Sequence, residues 1–195
     1  MSHESAASLE ISSMGVDNRK LGVWVWLGSE AVFFSALIIV YIVMRNQSVT
    51  GPFPRETLNV SLTAVNTFIL ICSSLTMVTA LSAIQSGNQR SLWRWLVATM
   101  VLGLAFLSGQ AFEFTSLARQ GLSLSSNLFG GTFFTLTGFH GAHVLVGVIW
   151  IGFVVARTLH GGYTQSSHLM VELTGLYWHF VDLVWIIIFT IVYLI

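Results

Sequence analysis

Five long apolar stretches account for most of this 195-residue sequence. They cover residues 21–44, 60–84, 92–118, 128–157 and 171–195. Each meets the requirement of about 20 residues for a helix that crosses the hydrocarbon core of a bilayer. Charged residues make up only 8% of the chain, whereas an ordinary soluble domain has about 25%. The pattern predicts an all-α fold, an integral membrane bundle of five transmembrane helices.

The remaining segments are short and polar. Residues 1–20 are Ser-rich and lack a basic region ahead of a short apolar core, which predicts a disordered cytoplasmic tail and not a cleaved signal peptide. The connections at 50–54, 86–88 and 160–162 contain the Gly, Pro, Ser and Asn residues that are typical of turns. Residues 21–195 are therefore predicted to form one transmembrane domain.

Charge excludes one class of partner and predicts an orientation. Lys plus Arg and Asp plus Glu both number 8, and no basic stripe is present, so the sequence does not indicate a nucleic-acid-binding protein. Five basic residues fall on the side of the membrane where the first span begins: Arg19, Lys20, Arg90, Arg94 and Arg157. Three fall on the other side: Arg45, Arg55 and Arg119. This excess predicts a cytoplasmic N-terminus and an external C-terminus.

Polar residues inside the spans are costly and need an explanation. An ionised side chain at the bilayer centre costs about 2.5 to 3.5 kcal/mol, whereas an interhelical hydrogen bond returns on average about 0.6 kcal/mol. Helical rise places Glu30, His140 and Asp182 at similar depth, near the midplane. We therefore expect that these three residues could meet in one packed layer.

Three predicted helices carry polar and small residues at steps of three and four, which places them on one helix face. The stripe on the fifth helix is Glu172, Gly175, His179, Asp182 and Ile186. The stripe on the third is Thr99, Gly103, Phe106, Gln110 and Glu113, and that on the fourth is Thr137, His140, Val144 and Gly147, with His143 beside it. Such faces favour polar contacts between helices in a bundle.

Two other interpretations of these residues stay open. Imidazole is a common metal ligand, so His140, His143 and His179 could hold a metal or haem in an autonomous membrane metalloprotein. The spacing argues against this, because His140 and His143 lie on one side of one helix and no His-Glu-x-x-His pattern is present. Glu30, Asp182 and Glu113 could instead relay protons. A transporter is disfavoured, because no internal repeat is found and the number of spans is odd.

Arg157 and His160 lie at the end of the fourth predicted helix, ahead of Gly161 and Gly162. Cations favour a helix C-terminus and the membrane boundary, so these residues could serve as an anchor. A guanidinium also presents paired donors that match phosphate oxygens, which indicates a site for a lipid headgroup. One residue could perform both roles.

Several motifs together resemble subunit III of the haem-copper terminal oxidases. They are Thr-Gly-Phe-His-Gly-Ala-His-Val at 137–144 and Tyr-Trp-His-Phe-Val-Asp-Leu-Val-Trp at 177–185, with Gly-Ser-Glu-Ala-Val-Phe-Phe at 28–34, Asn-Thr at 66–67, Gln-Ala-Phe-Glu-Phe at 110–114 and Phe-Gly-Gly-Thr-Phe-Phe at 129–134. The resemblance covers residues 21–195 in the right order. It is closest to the shorter, five-helix bacterial form, which lacks the two N-terminal helices of the longer members.

The resemblance implies a subunit with no catalytic centre and no metal or cofactor of its own. Haem and copper would lie in partner subunits. This chain would contact mainly subunit I, together with subunit II and small subunits, bind phospholipid, and support proton uptake in a bacterial inner membrane. Lipid contacts would fall on Arg157, His160 and Glu30. Structural hydrogen-bonding roles would fall on five further residues: Glu113, His140, His143, His179 and Asp182.

The resemblance also bears on the electron donor of the complex. Phe139 before His140 and Val181 before Asp182 are more similar to cytochrome c oxidases than to quinol oxidases. The expectation is therefore a cytochrome c oxidase subunit, with a quinol oxidase subunit as the alternative.

Overall fold

The computed structural model describes residues 17–45, 47 and 58–195, and these form five long helices. The helices are α1 (Asn18–Met44), α2 (Val60–Gln85), α3 (Gln89–Arg119), α4 (Leu128–Leu159) and α5 (Leu169–Phe189). A short π-helix, Thr190–Leu194, continues α5. All five are long and apolar enough to span a membrane. The predicted all-α bundle of five transmembrane helices is confirmed.

The first four helices begin at Asp or Asn side chains that cap them. Asp17 accepts a hydrogen bond from the Arg19 amide at 2.8 Å, so α1 begins at Asn18 and not at residue 21 as predicted. Asn59, Asn88 and Asn127 cap α2, α3 and α4 in the same way. Residues 1–16 of the predicted tail lie outside the described residues.

Two of the predicted turns form at the expected places. Gly87 has φ of 75° and Gly161 has φ of 70°, a left-handed conformation that glycine adopts without the steric cost of a Cβ atom. These two turns close the α2–α3 and α4–α5 connections. The third predicted turn, at 50–54, lies outside the described residues.

The helices alternate in direction, so that α1, α3 and α5 begin at one face of the bundle. We call this the tail face, because the N-terminal segment precedes α1 there. An ion pair between Lys20 and Glu172 joins the beginnings of α1 and α5 at this face. At the opposite face, Nη1 of Arg45 donates a hydrogen bond to the Ile191 carbonyl oxygen at 3.2 Å. The helix α1 packs mainly on α4 and α5.

Trp178 of α5 lies at the centre of the bundle between two glycines. A Cβ atom built on Gly103 would lie 2.7 Å from Trp178 Cη2, and one built on Gly147 would lie 2.8 Å from Cζ3. The indole Nε1 donates a hydrogen bond to Ser73 Oγ at 2.9 Å. The small residues of the α3 and α4 stripes therefore make room for the largest buried side chain, as close helix packing in membranes requires.

Candidate functional site

The first polar cluster surrounds Glu113 near the face opposite the tail face. Its Oε1 atom accepts hydrogen bonds from Thr63 Oγ1 at 2.9 Å and from the Tyr193 hydroxyl at 3.0 Å. The side chain is buried. Three segments, α2, α3 and the π-helix, are tied together by one carboxyl group.

The second buried group, His140, lies among aromatic rings. Its imidazole stacks on Trp185 with ring centroids 4.7 Å apart, and it meets Phe106 edge-on at 5.9 Å. Among the described residues neither ring nitrogen has a hydrogen-bond partner. The structure therefore shows ring contacts for His140 and no hydrogen bond among the described residues, and the hydrogen-bonding role that the resemblance implies for it stays a prediction.

A third polar contact joins α1 to α4. His143 Nε2 lies 3.2 Å from Glu30 Oε2, and Nδ1 lies 2.7 Å from the Phe139 carbonyl oxygen. Because a carbonyl oxygen can only accept, Nδ1 carries a hydrogen. The contact between Nε2 and Oε2 then holds one proton, which is bound either to Glu30 or to His143. In both arrangements the pair is neutral overall, which avoids the cost of a lone charge at this depth.

This contact lies at the margin of the bundle. The side chains of Glu30 and His143 are 21% and 19% exposed, and Phe33 and Phe139 beside them are exposed as well. Glu30 therefore reaches the surface that α1 and α4 present to lipid or to a partner. This position differs from that of Glu113, which is enclosed by its own helices.

The fourth polar cluster lies between α5 and α2. Ser74 Oγ is 3.0 Å from His179 Nδ1. Asp182 is buried, and its Oδ1 atom has no partner among the described residues. His179 also lines a pocket of about 220 Å³ that reaches Lys20 and Glu172 at the tail face.

The expected single layer of Glu30, His140 and Asp182 does not form. Glu30 bonds to His143 between α1 and α4, and Asp182 is buried on α5 one turn after His179, which contacts Ser74 of α2. His140 lies on Trp185 among other aromatic rings. Similar depth does not ensure contact, because rotation of each helix about its axis directs the three side chains into different interfaces.

The predicted stripes mostly face protein. Every residue of the α3 stripe and of the α4 stripe is buried. On α5, Gly175 and Asp182 are buried, Glu172 and His179 are partly buried, and Ile186 is exposed. The α5 stripe therefore turns away from the bundle at its last residue.

Arg157 and His160 lie together at the tail face. The Arg157 guanidinium is 5.5 Å from the centre of the Tyr163 ring, and His160 Nδ1 lies 2.8 Å from the Ala156 carbonyl oxygen. Burial raises the pKa of the Tyr163 phenol, and the Arg157 cation opposes this shift. Both Arg157 and His160 are exposed at the tail face.

Glu30 is not part of the Arg157 and His160 site. Its partner His143 lies 14 positions before Arg157 on α4, a separation of about 21 Å along the helix axis at about 1.5 Å per residue. The three residues that the resemblance groups as lipid contacts therefore belong to two places, one at the tail face and one inside the membrane.

The three histidines of the metal or haem alternative do not form one cluster. Among the described residues, no group of three His, Cys, Asp or Glu side chains is arranged to hold a metal ion. His143 and His179 lie in different interfaces, with their Nδ1 atoms engaged by Phe139 and Ser74.

Some functional contacts were not found from the sequence. The Lys20–Glu172 ion pair joins residues 152 positions apart, and the Tyr193 bond to Glu113 joins residues 80 positions apart. The signals available were the acid in the α5 stripe and a tyrosine near the end of a span. Neither identifies its partner, because pairing depends on which helices are neighbours.

The fold and these contacts define a class: a multi-pass membrane protein whose intramembrane acids mostly contact residues of its own helices. Comparison with known proteins makes this more specific. The family model described as cytochrome c oxidase subunit III matches residues 2–195. The quinol oxidase subunit 3 of Bacillus subtilis (strain 168) is 37% identical over 190 residues, which cover 97% of this chain and 93% of the relative.

Two further relatives are named as cytochrome c oxidase subunits. The cytochrome c oxidase subunit 3 of Alkalihalophilus pseudofirmus is 36% identical over 99% of this chain and 92% of the relative. The probable cytochrome c oxidase subunit 3 of Mycobacterium bovis is 39% identical over 98% of this chain and 95% of the relative. The chain belongs to the cytochrome c oxidase subunit III family, and the resemblance recognised from its motifs is confirmed.

Proposed function

We propose that this chain is a non-catalytic support subunit of a proton-pumping haem-copper oxidase. Haem and copper lie in its partner subunits, and its main contact is subunit I. The observation that carries the proposal is the family match over residues 2–195. It is supported by the internal contacts of Glu113, His143 and His179, which engage residues of the chain's own helices.

The face formed by α1 and α4 is the proposed contact with subunit I. The Glu30–His143 pair lies there at intermediate exposure, surrounded by the exposed rings of Phe33 and Phe139. A neutral polar pair within an apolar surface is suited to a partner helix in the membrane, because it offers a hydrogen bond without introducing a net charge. Subunit II and small subunits would lie beyond this contact.

Co-purification tests the assignment to a complex. Extraction of the native membrane in a mild detergent is expected to recover this chain together with a haem-bearing subunit, and the purified complex is expected to show a haem spectrum. The isolated chain is expected to be colourless. Recovery of the chain solely as a free monomer, or stoichiometric haem on the isolated polypeptide, would overturn the proposal.

Arg157 and His160 are the proposed phospholipid phosphate site. Arg157 is exposed at the tail face, and its side chain packs against Gly162, where an added Cβ atom would lie 2.4 Å from Arg157 Cγ. Glu30 is proposed to border lipid at mid-depth and not at this headgroup. Arg157→Ala is expected to lower the phospholipid retained per complex, with little change in initial turnover and faster inactivation.

The matched control is Arg157→Lys, which keeps the charge but loses the paired donors of the guanidinium. We expect retention between those of the wild type and the alanine variant. Equal lipid content in all three proteins would show that Arg157 binds no phosphate and serves as an anchor at the membrane boundary.

Cytochrome c is the proposed electron donor, and quinol is the second candidate. Relatives of comparable identity carry both names, including two proteins of Bacillus subtilis (strain 168) at 37% and 35%. The proposal for cytochrome c is supported by Phe139 and Val181, the two positions at which the motifs are more similar to that group. Oxidation of reduced cytochrome c by the purified complex, compared with oxidation of a quinol, distinguishes the two.

The proposed location is a bacterial inner membrane with the tail face in the cytoplasm. Tail-face basic residues include Lys20, Arg90 and Arg157, in agreement with the positive-inside rule. Labelling of a cysteine introduced into the N-terminal tail, in intact cells against inverted vesicles, tests the orientation. Labelling of this cysteine in intact cells would show that the orientation is the opposite of the one proposed.

A further inference from the structure

A pocket lies between the beginning of α2 and the end of α3, at the face opposite the tail face. Its volume is about 420 Å³, within the range of about 300 to 1,000 Å³ that is typical of small-molecule sites. Polar side chains from both helices line it: Asn59, Ser61, Ser116 and Gln120. Each of them has an oxygen atom that can accept a hydrogen bond, so the pocket is suited to a ligand that donates several.

One acid forms part of the wall of this pocket. Glu113 lines it and is only 6% exposed. The hydrogen bonds from Thr63 and Tyr193 both reach the same oxygen atom, Oε1. Its second oxygen, Oε2, has no hydrogen-bond partner among the described residues. Oε2 is therefore the carboxyl atom that is available to a ligand in the pocket.

The charges around the pocket favour a cation. Glu113 is the one ionisable side chain among the described residues that line it. Arg45 and Arg119 lie at the same face of the bundle but do not line the pocket, and Arg45 donates to the Ile191 carbonyl oxygen. Phe112 contributes an exposed ring to the wall, and the face of an aromatic ring attracts a cation.

The size and the donor set of the pocket favour an organic cation over a bare metal ion. The pocket holds about 420 Å³, whereas a single water occupies about 30 Å³ of liquid. Among the described residues, no group of three His, Cys, Asp or Glu side chains could hold a metal ion. A single carboxyl group among neutral oxygens is instead suited to an ammonium group, which carries three hydrogen-bond donors and one positive charge.

The depth of the pocket matches that of lipid headgroups. The helix α3 has 31 residues, a length of about 46 Å, and the hydrocarbon core of a bilayer is about 30 Å thick. A centred helix therefore extends about 8 Å beyond the core at each end. Glu113 lies six positions before Arg119, the last residue of α3, which is about 9 Å from that end. The carboxyl group lies where the hydrocarbon core ends and the headgroups begin.

We propose that this pocket binds a primary ammonium group, which pairs with Glu113 Oε2 and donates its other hydrogens to the neighbouring side-chain oxygens. The ammonium group belongs to the ethanolamine headgroup of a phospholipid or to a small free amine, and the two share this chemistry. The site lies at the face opposite Arg157 and takes a cation, whereas Arg157 is proposed to bind phosphate. It is therefore independent of the lipid site proposed above.

The charge of Glu113 is tested by ligand-induced stabilisation of the purified complex after its lipids have been removed. A ligand that binds the folded protein raises the temperature at which half of this chain is lost from the complex. We expect phosphatidylethanolamine to raise this midpoint, and its apparent affinity to fall about tenfold in Glu113→Gln, which loses one charge-assisted hydrogen bond. Glu113→Gln keeps an acceptor oxygen for Thr63 and Tyr193.

Two further probes identify the source of the ammonium group. Phosphatidylcholine carries a quaternary ammonium without an N–H donor, so we expect it to show no difference between the wild type and Glu113→Gln. Free ethanolamine, which is protonated at neutral pH, tests a small amine. A Glu113-dependent effect of the phospholipid alone assigns the site to a lipid headgroup, and an effect of both assigns it to amines in general. The proposal is overturned if neither probe binds the wild type more tightly than Glu113→Gln.

A pocket-filling variant tests the site without changing Glu113. Ser116 is partly buried in the pocket wall, and Ser116→Leu is expected to occupy the space of the ligand and to abolish the stabilisation by phosphatidylethanolamine. The matched control is Ser108→Leu, because Ser108 is an exposed serine on the same helix that does not line the pocket. Equal stabilisation of the two variants by phosphatidylethanolamine and by ethanolamine would show that neither ligand occupies this pocket.

Discussion

Glu113 and Glu30 are both intramembrane glutamates, yet their burial and their hydrogen-bond partners differ. Glu113 accepts two hydroxyl hydrogen bonds from different segments of its own chain and is buried. Glu30 contacts His143 at 3.2 Å and its side chain remains 21% exposed. Glu113 joins segments inside the bundle, whereas Glu30 lies at its surface.

The difference shows that the presence of an acid in a span does not by itself indicate its role. What separates the two is the number and origin of the hydrogen-bond partners. A carboxyl group whose partners come from three segments holds those segments together, so removing it should damage the fold. A carboxyl group paired once at the margin should be dispensable for folding and is available to a partner subunit or lipid.

Removing the enclosed acid should have the largest effect. Glu113→Ala leaves the Thr63 and Tyr193 hydroxyls without their acceptor and opens a cavity, which we expect to destabilise the chain by about 1 to 3 kcal/mol. The measurement is the temperature at which half of this chain is lost from the purified complex. Glu113→Gln keeps an acceptor oxygen and is the control, and equal losses in the two variants would argue against these hydrogen bonds.

Replacing His140 should not destabilise the chain, in contrast to replacing Glu113. Both of its ring nitrogens are buried without partners among the described residues, and an unsatisfied buried polar group costs about 1 to 3 kcal/mol. His140→Phe keeps an aromatic ring against Trp185 and removes that cost, so we expect an unchanged or higher midpoint by the same assay. A marked destabilisation would indicate a hydrogen bond, for example to a buried water, that the ring contacts do not reveal.

A single hydroxyl of the Glu113 cluster should matter less than the acid itself. Tyr193→Phe removes one interhelical hydrogen bond of 3.0 Å and retains the ring, so the expected loss is about 0.6 kcal/mol. Combining it with Glu113→Ala in a double-mutant cycle measures the coupling of the pair. Additive effects would show that the two side chains do not interact in the assembled protein.

The exposed acid should have the smallest effect on assembly. In Glu30→Gln the amide can donate to His143 Nε2, so the contact with α4 is retained, and we expect normal amounts of the chain in the complex. Any effect should appear in proton uptake or in the rate of inactivation during turnover, measured in reconstituted vesicles. Loss of the chain from the complex would contradict the contrast with Glu113.

The arrangement of helices was largely predictable from the sequence, but the contacts of the polar residues were not. Each span is an apolar run long enough for the bilayer, and Asp17, Asn59, Asn88 and Asn127 mark the helix starts. Periodicity also identified the α3 and α4 faces correctly. Glu30, His140 and Asp182 were expected in one layer, because depth follows from counting residues whereas rotation about the helix axis does not.

Resemblance added what periodicity could not. The motifs around His140 and Asp182 identified the family, and the family match over residues 2–195 agrees with them. The resemblance did not reveal that His140 makes ring contacts alone, or that Arg157 and Glu30 lie at separate levels of the membrane. A motif specifies residue types along the chain, but it does not specify which atoms are in contact in the folded protein.

The sequence by itself determined that five helices are long and apolar enough to span a membrane and, to within a few residues, where each lies, since this depends on local hydropathy. Only the tertiary structure decided that Glu113 meets Tyr193, that Lys20 meets Glu172 and that Ser74 meets His179. Such pairs join residues far apart in sequence. They depend on which helices are neighbours and on the rotation of each helix about its axis. Both are set by the packing of the whole bundle.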